Sequence, residues 1–91
     1  MTELKKTEQE NTEKHVLSFG ERLYVERKKQ NLSIEDVARA IHLSDKVIDA
    51  IERSDVSQLP QPAFVQGYLR TYAKHLGMSE TVVLDEYAKA V

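Results

Sequence analysis

Three histidines, His15, His42 and His75, are the residues of this 91-residue chain with the readiest acid–base or metal chemistry. Their spacing supports neither, because no two of them stand at an interval that sets ligands on one helical face. There is no cysteine, so a thiolate metal site and a disulfide frame are both excluded. Gly20, Gly67 and Gly77 are isolated, so no glycine-rich phosphate loop exists. No nucleophile stands beside a plausible base, and Ser18, Ser33, Ser44 and Ser79 are each accounted for as helix caps. The expectation is a chain that is not an enzyme and needs neither cofactor nor metal.

What remains is adhesive chemistry. Phe64 and Tyr68 stand one turn apart in the segment 59–77, which opens on Leu59-Pro60-Gln61-Pro62 and closes on Gly77. Pro62 suits a first helical position, where its missing N–H would be unpaired in any case. Gly77 suits the left-handed residue that ends a helix. At about 100° per residue, Val65, Leu69, Tyr72, Ala73 and Leu76 form one apolar stripe. That stripe supplies a core face by itself, so Phe64 and Tyr68 are surplus to it. Aromatic and arginine side chains are the usual energetic anchors of protein interfaces. Phe64 and Tyr68 are therefore the candidate partner-binding anchors, with Arg70 as a rim residue that Lys74 can assist against an acidic partner. The competing reading is that the pair covers a helix junction.

The elements that must hold this pair are all helices. Residues 1–16 are rich in Glu, Lys, Thr, Gln and Asn; such a run cannot offset its ordering entropy, so a disordered polar arm is expected. From residue 17 to 91 the punctuation is regular. Ser18 and Glu21 form a capping box opening a first helix to about residue 30, with Phe19, Leu23 and Tyr24 inward. Asn31 can supply its left-handed stop. Ser33 caps a second helix over 34–41, with Asp36 at the box position, and Ser44 caps a third from 45 to about 53. The fourth is the aromatic helix, and Ser79 opens a fifth from 80 to about 90, with Val83, Leu84 and Tyr87 inward. No strand-like alternation occurs, so the fold class is all-α: a five-helix bundle with two helices C-terminal to a helix-turn-helix. An arginine on the first helix, Arg22, and Glu52 late in the third are expected to pair.

Helices two and three, joined by His42-Leu43-Ser44, have the helix-turn-helix pattern. In a DNA reader the third helix would enter the major groove. Its expected outward positions are Asp45, Lys46, Asp49 and Ala50, with Glu52 and Arg53 nearby. Only Lys46 and Arg53 suit the common base contacts. From 44 to 54 two basic residues stand against three acidic ones, and the whole chain has a net charge of −2. A domain built to grip phosphates is ordinarily basic, so DNA binding through Lys46 and Arg53 is the alternative rather than the first reading. No segment approaches the roughly 20 apolar residues of a membrane span, and no signal-peptide core opens the chain. The expectation is a soluble, unprocessed domain that can be the front end of a longer protein.

The motifs Phe19-Gly-Glu-Arg-Leu23, Leu32-Ser-Ile-Glu-Asp-Val-Ala-Arg-Ala-Ile41 and Ile51-Glu52 resemble the widespread Cro/repressor-type helix-turn-helix. The continuation Leu59-Pro60, Phe64-Val-Gln-Gly-Tyr-Leu-Arg-Thr-Tyr-Ala73 and Leu76-Gly77 resembles a narrower group, the cytoplasmic domains of the RodZ family of bacterial cell-shape proteins. Asn31 departs from that pattern, standing where glycine is frequent. The resemblance, over roughly residues 18–90, implies a domain on the cytoplasmic face of the inner membrane, followed by a basic linker, one span and a periplasmic part absent from these residues. It implies binding of the actin-like filament protein MreB, through fourth-helix aromatics at the positions of Phe64 and Tyr68, in support of rod shape. The resemblance also implies a link to gene expression in some members, which keeps the nucleic-acid alternative in view.

Overall fold

Short-range capping punctuates the chain. The computed structural model describes residues 17–91, and the expected arm, 1–16, lies outside the described residues. The elements are α1 (Phe19–Lys29), α2 (Ile34–Ile41), α3 (Asp45–Glu52), a 3-10 turn (Val56–Gln58), α4 (Pro62–Leu76) and α5 (Glu80–Ala90). Ser18, Ser33, Ser44 and Ser79 accept hydrogen bonds from the backbone N–H three residues on, satisfying donors that a helix start leaves orphaned. Glu21 and Asp36 reach back to the N–H of Ser18 and Ser33 at 2.9 Å, which completes two capping boxes. Those contacts hold the Asp36 carboxyl below its ordinary range, the backbone N–H of Ser33 acting most strongly. Asn31 (φ 59), His42 (φ 60) and Gly77 (φ 76) supply left-handed residues after α1, α2 and α4. Pro62 takes the first position of α4.

The core gathers one face from every helix. Phe19 and Leu23 of α1, Val37 of α2, Ile48 and Ile51 of α3, Val65, Leu69 and Tyr72 of α4 and Val83 of α5 are fully buried. The ring of Phe19 meets that of Tyr87 edge to face, with centroids 5.2 Å apart, an arrangement aromatic quadrupoles favour. Gly20 allows the start of α1 to lie against the end of α3. A Cβ there would collide with the carbonyl oxygens of Ile51 and Glu52. Its N–H donates to Ser54 Oγ at 3.0 Å, and the Ser54 hydroxyl donates to Ser18 Oγ at 2.7 Å.

Three expectations about individual residues are corrected. Tyr24 is not inward: it is 45% exposed, and its ring covers the Arg27 guanidinium at 5.5 Å. Ala50 is not outward, because the 3-10 turn folds back over α3 and Asp55 N–H donates to Ala50 O at 3.0 Å. Glu52 pairs with Arg27, not with Arg22 (Nε–Oε2 2.6 Å, Nη2–Oε1 2.9 Å). Arg27 continues the 19–23–27 stripe at intervals of four and so points into the core. Arg22 lies on the flank, its Nη2 3.6 Å from Glu86 of α5.

Candidate functional site

The helix-turn-helix and α4 meet along a shallow groove of about 460 Å³, and the aromatic pair stands in it. One wall is Ile41, His42 and Leu43, from the end of α2 and the turn after it. The other is the outer face of α4: Ala63, Phe64, Gly67, Tyr68 and Thr71. These α4 residues repeat at intervals of three and four, so they share one side of the helix. The stripe Val65–Leu69–Tyr72–Leu76 is buried on another. Phe64 is 56% exposed, the highest value among the described large apolar residues apart from the terminal Val91. Tyr68 is half-buried and packs on the edge of the core, as do Ile41 and Leu43. Tyr68 thus serves both the junction and the surface, whereas Phe64 is left to solvent.

Arg70 does not join the pair. It leaves α4 on a different side, and its Nε lies 3.7 Å from Glu80 at the start of α5. Two residues correspond to about 200° of helical rotation, which separates Arg70 from Tyr68. The Arg70–Glu80 contact bridges the α4–α5 turn at an exposed position, where such pairs contribute little.

The alternative surface is also in view. Lys46 and Arg53 line a depression on α3 with Ser44, Asp49 and Gln58. The Arg53 guanidinium is bound to Asp49 at 2.9 Å across one helical turn. A phosphate or base edge would therefore have to compete with a carboxylate already in place.

A buried polar cluster ties α4 to α1 and α3. Arg27 makes its two bonds to Glu52 and a third from Nη1 to Leu32 O at 2.7 Å. The Tyr72 hydroxyl donates to Glu52 Oε2. Four chain segments are thus joined: α1, the α1–α2 turn, α3 and α4. The Glu52 hydrogen bond raises the Arg27 pKa above its ordinary value. Burial, then the bond to Glu52, pushes the Tyr72 hydroxyl far up. Both groups keep their protons, and the donor–acceptor pattern is fixed. Gln30 adds a second tie, donating to Leu76 O at 2.8 Å at the far end of α4. The groove wall Ile41–Leu43 and the lining residue Gly67 were not singled out from the sequence. Nothing in the order of residues juxtaposes 41–43 with 63–71; the signal that could have found Ala63, Gly67 and Thr71 is their step of four beside Phe64 and Tyr68.

Residues 22–83 match the family model of a helix-turn-helix domain. The chain is 42% identical over 72 residues to an uncharacterized protein of Haemophilus influenzae, an alignment covering 78% of this chain and 24% of that protein. It is 30% identical over 70 residues to the cytoskeleton protein RodZ of Streptococcus pneumoniae, covering 77% and 25%. The chain therefore spans about a quarter of the length of these curated relatives. No solved structure matches it. Among the described residues no helix is long and apolar enough to cross a membrane. With five α-helices among the described residues, two of them in helix-turn-helix order, and an alignment to RodZ over most of the chain, the chain belongs to the helix-turn-helix domain family, in its RodZ-type form.

Proposed function

We propose that this domain is a cytoskeletal adaptor that docks the actin-like filament protein MreB on Phe64 and Tyr68 and links it to the inner membrane. The observation that carries this reading is the exposure of Phe64 at 56%, in the middle of the domain and beside a groove already lined by apolar side chains. A buried phenylalanine is worth about 1.5–3 kcal/mol over an exposed one, so leaving Phe64 in water forgoes that stabilisation within the chain. Covering it on a partner recovers it. The kinship to a cytoskeleton protein gives the partner its kind. The membrane link would lie in sequence outside these residues, for which the relatives leave room, since the aligned part is only 24% and 25% of their length. In this reading the domain works at the cytoplasmic face. Arg70, the expected rim residue, has no part in this contact, because it leaves α4 on a different side from the pair, beside Glu80.

The test is co-pelleting with polymerised MreB. Phe64→Ala removes an interface anchor, with an expected loss of about 2 kcal/mol, or roughly 30-fold in Kd. Because Phe64 contributes little to the core, far-UV helicity and thermal midpoint are expected to stay near wild type. Retained co-pelleting by a folded Phe64→Ala variant would sink the proposal. A gel shift with random duplex at low salt covers the DNA alternative: a strong shift, steeply salt-dependent and lost in Lys46→Ala, would favour it instead.

A further inference from the structure

The chain has three glycines, and the fold requires two of them. Gly20 sits where a Cβ would strike the carbonyls of Ile51 and Glu52. Gly77 has φ 76, a conformation that side-chain-bearing residues rarely adopt. Gly67 has neither reason. It lies in the middle of α4, its φ is not in the left-handed region, and a Cβ built on it meets no atom within 4 Å. Glycine inside a helix is less favourable than alanine, through backbone entropy. Nothing among the described residues offsets this, so the reason for a bare backbone is sought in a partner.

Gly67 lines the groove in the middle of α4, with Phe64 and Thr71 and with Ala63 and Tyr68 on the same side of the helix, and Ile41 and Leu43 on the other wall. We infer that Gly67 is a specificity-determining notch of the docking surface, which admits an apolar side chain of the filament subunit against the α4 backbone. This rests on the adaptor reading above. The chemistry of the notch selects the occupant. No Lys, Arg, Asp or Glu lines the groove, and the hydroxyls of Tyr68 and Thr71 with the ring of His42 are its polar groups. Along its fifteen residues α4 has no carboxylate, and the exposed Lys74 and His75 follow in its last turn. The matching partner surface is a protruding aliphatic or aromatic side chain with carboxylates beside it. Close backbone approach of this kind is what small residues permit at helix contacts.

The experiment grades the size of residue 67. Gly67→Ala and Gly67→Gln are compared with wild type and with Phe64→Ala, by thermal midpoint and by co-pelleting with polymerised MreB. The expected result is a midpoint equal to or above wild type in both Gly67 variants, since the space is open and both residues favour helix. Co-pelleting affinity is expected to fall about tenfold for Gly67→Ala, as overpacking of a filled contact would cause, and further for Gly67→Gln. Unchanged affinity in Gly67→Gln beside loss in Phe64→Ala would overturn the notch and leave the adaptor reading intact. Unchanged affinity in all three would overturn the adaptor reading itself. A lowered midpoint in Gly67→Ala would assign the glycine to the fold and overturn the notch.

Discussion

Arg27, Glu52 and Tyr72 show how much one side chain's direction decides. A buried ion pair offsets its desolvation only when the remaining donors and acceptors are also satisfied, and here Leu32 O and the Tyr72 hydroxyl complete the set. Removing one member leaves a charge in the core, so Glu52→Ala is expected to cost about 3–5 kcal/mol by denaturant unfolding. Tyr72→Phe keeps the ion pair and loses one hydrogen bond to a charged group, which costs about 2 kcal/mol. The two also differ in alkali. Since the fold raises the Tyr72 pKa above its ordinary 10.0, the unfolded chain releases that proton first. The contribution is fully present below pH 10 and lost as pH rises beyond it. Unfolding at about pH 9 and about pH 11 should show a smaller alkaline loss in Tyr72→Phe than in wild type. From the sequence, pairing of an α1 arginine with Glu52 is legible, but the choice between Arg22 and Arg27 follows from which one shares a face with Phe19 and Leu23.

At the scale of the element, α4 divides its work by face. Its buried stripe is legible from a 3.6-residue period, and its ends from Pro62 and Gly77, because these are properties of adjacent residues. The same locality makes α2 the place to test capping. Ser33→Ala removes the bond to Asp36 N–H and is expected to cost about 1 kcal/mol. The Asp36 half of that box titrates. Its pKa lies below the ordinary 3.8 in the fold, so its support is present above that pH and is lost as acid takes the pH down through the folded value. Acid unfolding of Asp36→Asn should accordingly begin with a smaller slope than that of wild type. The role of Ala50 was not legible, since it depends on the 3-10 turn folded back over α3; that of Tyr24 is local, because Arg27 stands one turn further along the same helix.

For the whole molecule, the two C-terminal helices complete a core that the helix-turn-helix cannot close alone. Tyr87 of α5 meets Phe19 of α1, and Val65, Leu69 and Tyr72 of α4 fill the centre. A chain ending at residue 77 would expose Phe19 and the inner side of α4. It is expected to lose its cooperative thermal transition, a loss that differential scanning calorimetry would register. Closing the core this way also builds the groove, because α4 can lie across the end of α2 only when α1 and α5 hold it from behind. The two proposed contacts, Phe64 and Gly67, are thus presented by a frame in which each helix is tied to others.

The sequence by itself determined the class of fold, the helix limits to within a residue, the inward stripe of α4 and the surplus character of Phe64. Capping, helical period and chain-stop chemistry act over four residues or fewer, and they are written in order along the chain. Tertiary structure alone decided that Tyr72 of α4 completes the Arg27–Glu52 pair, that Arg70 comes beside Glu80, and that Ile41 and Leu43 line one groove with Gly67. Each of those depends on the angle at which two helices cross, and that angle is set by the packing of the whole core rather than by any neighbour in sequence.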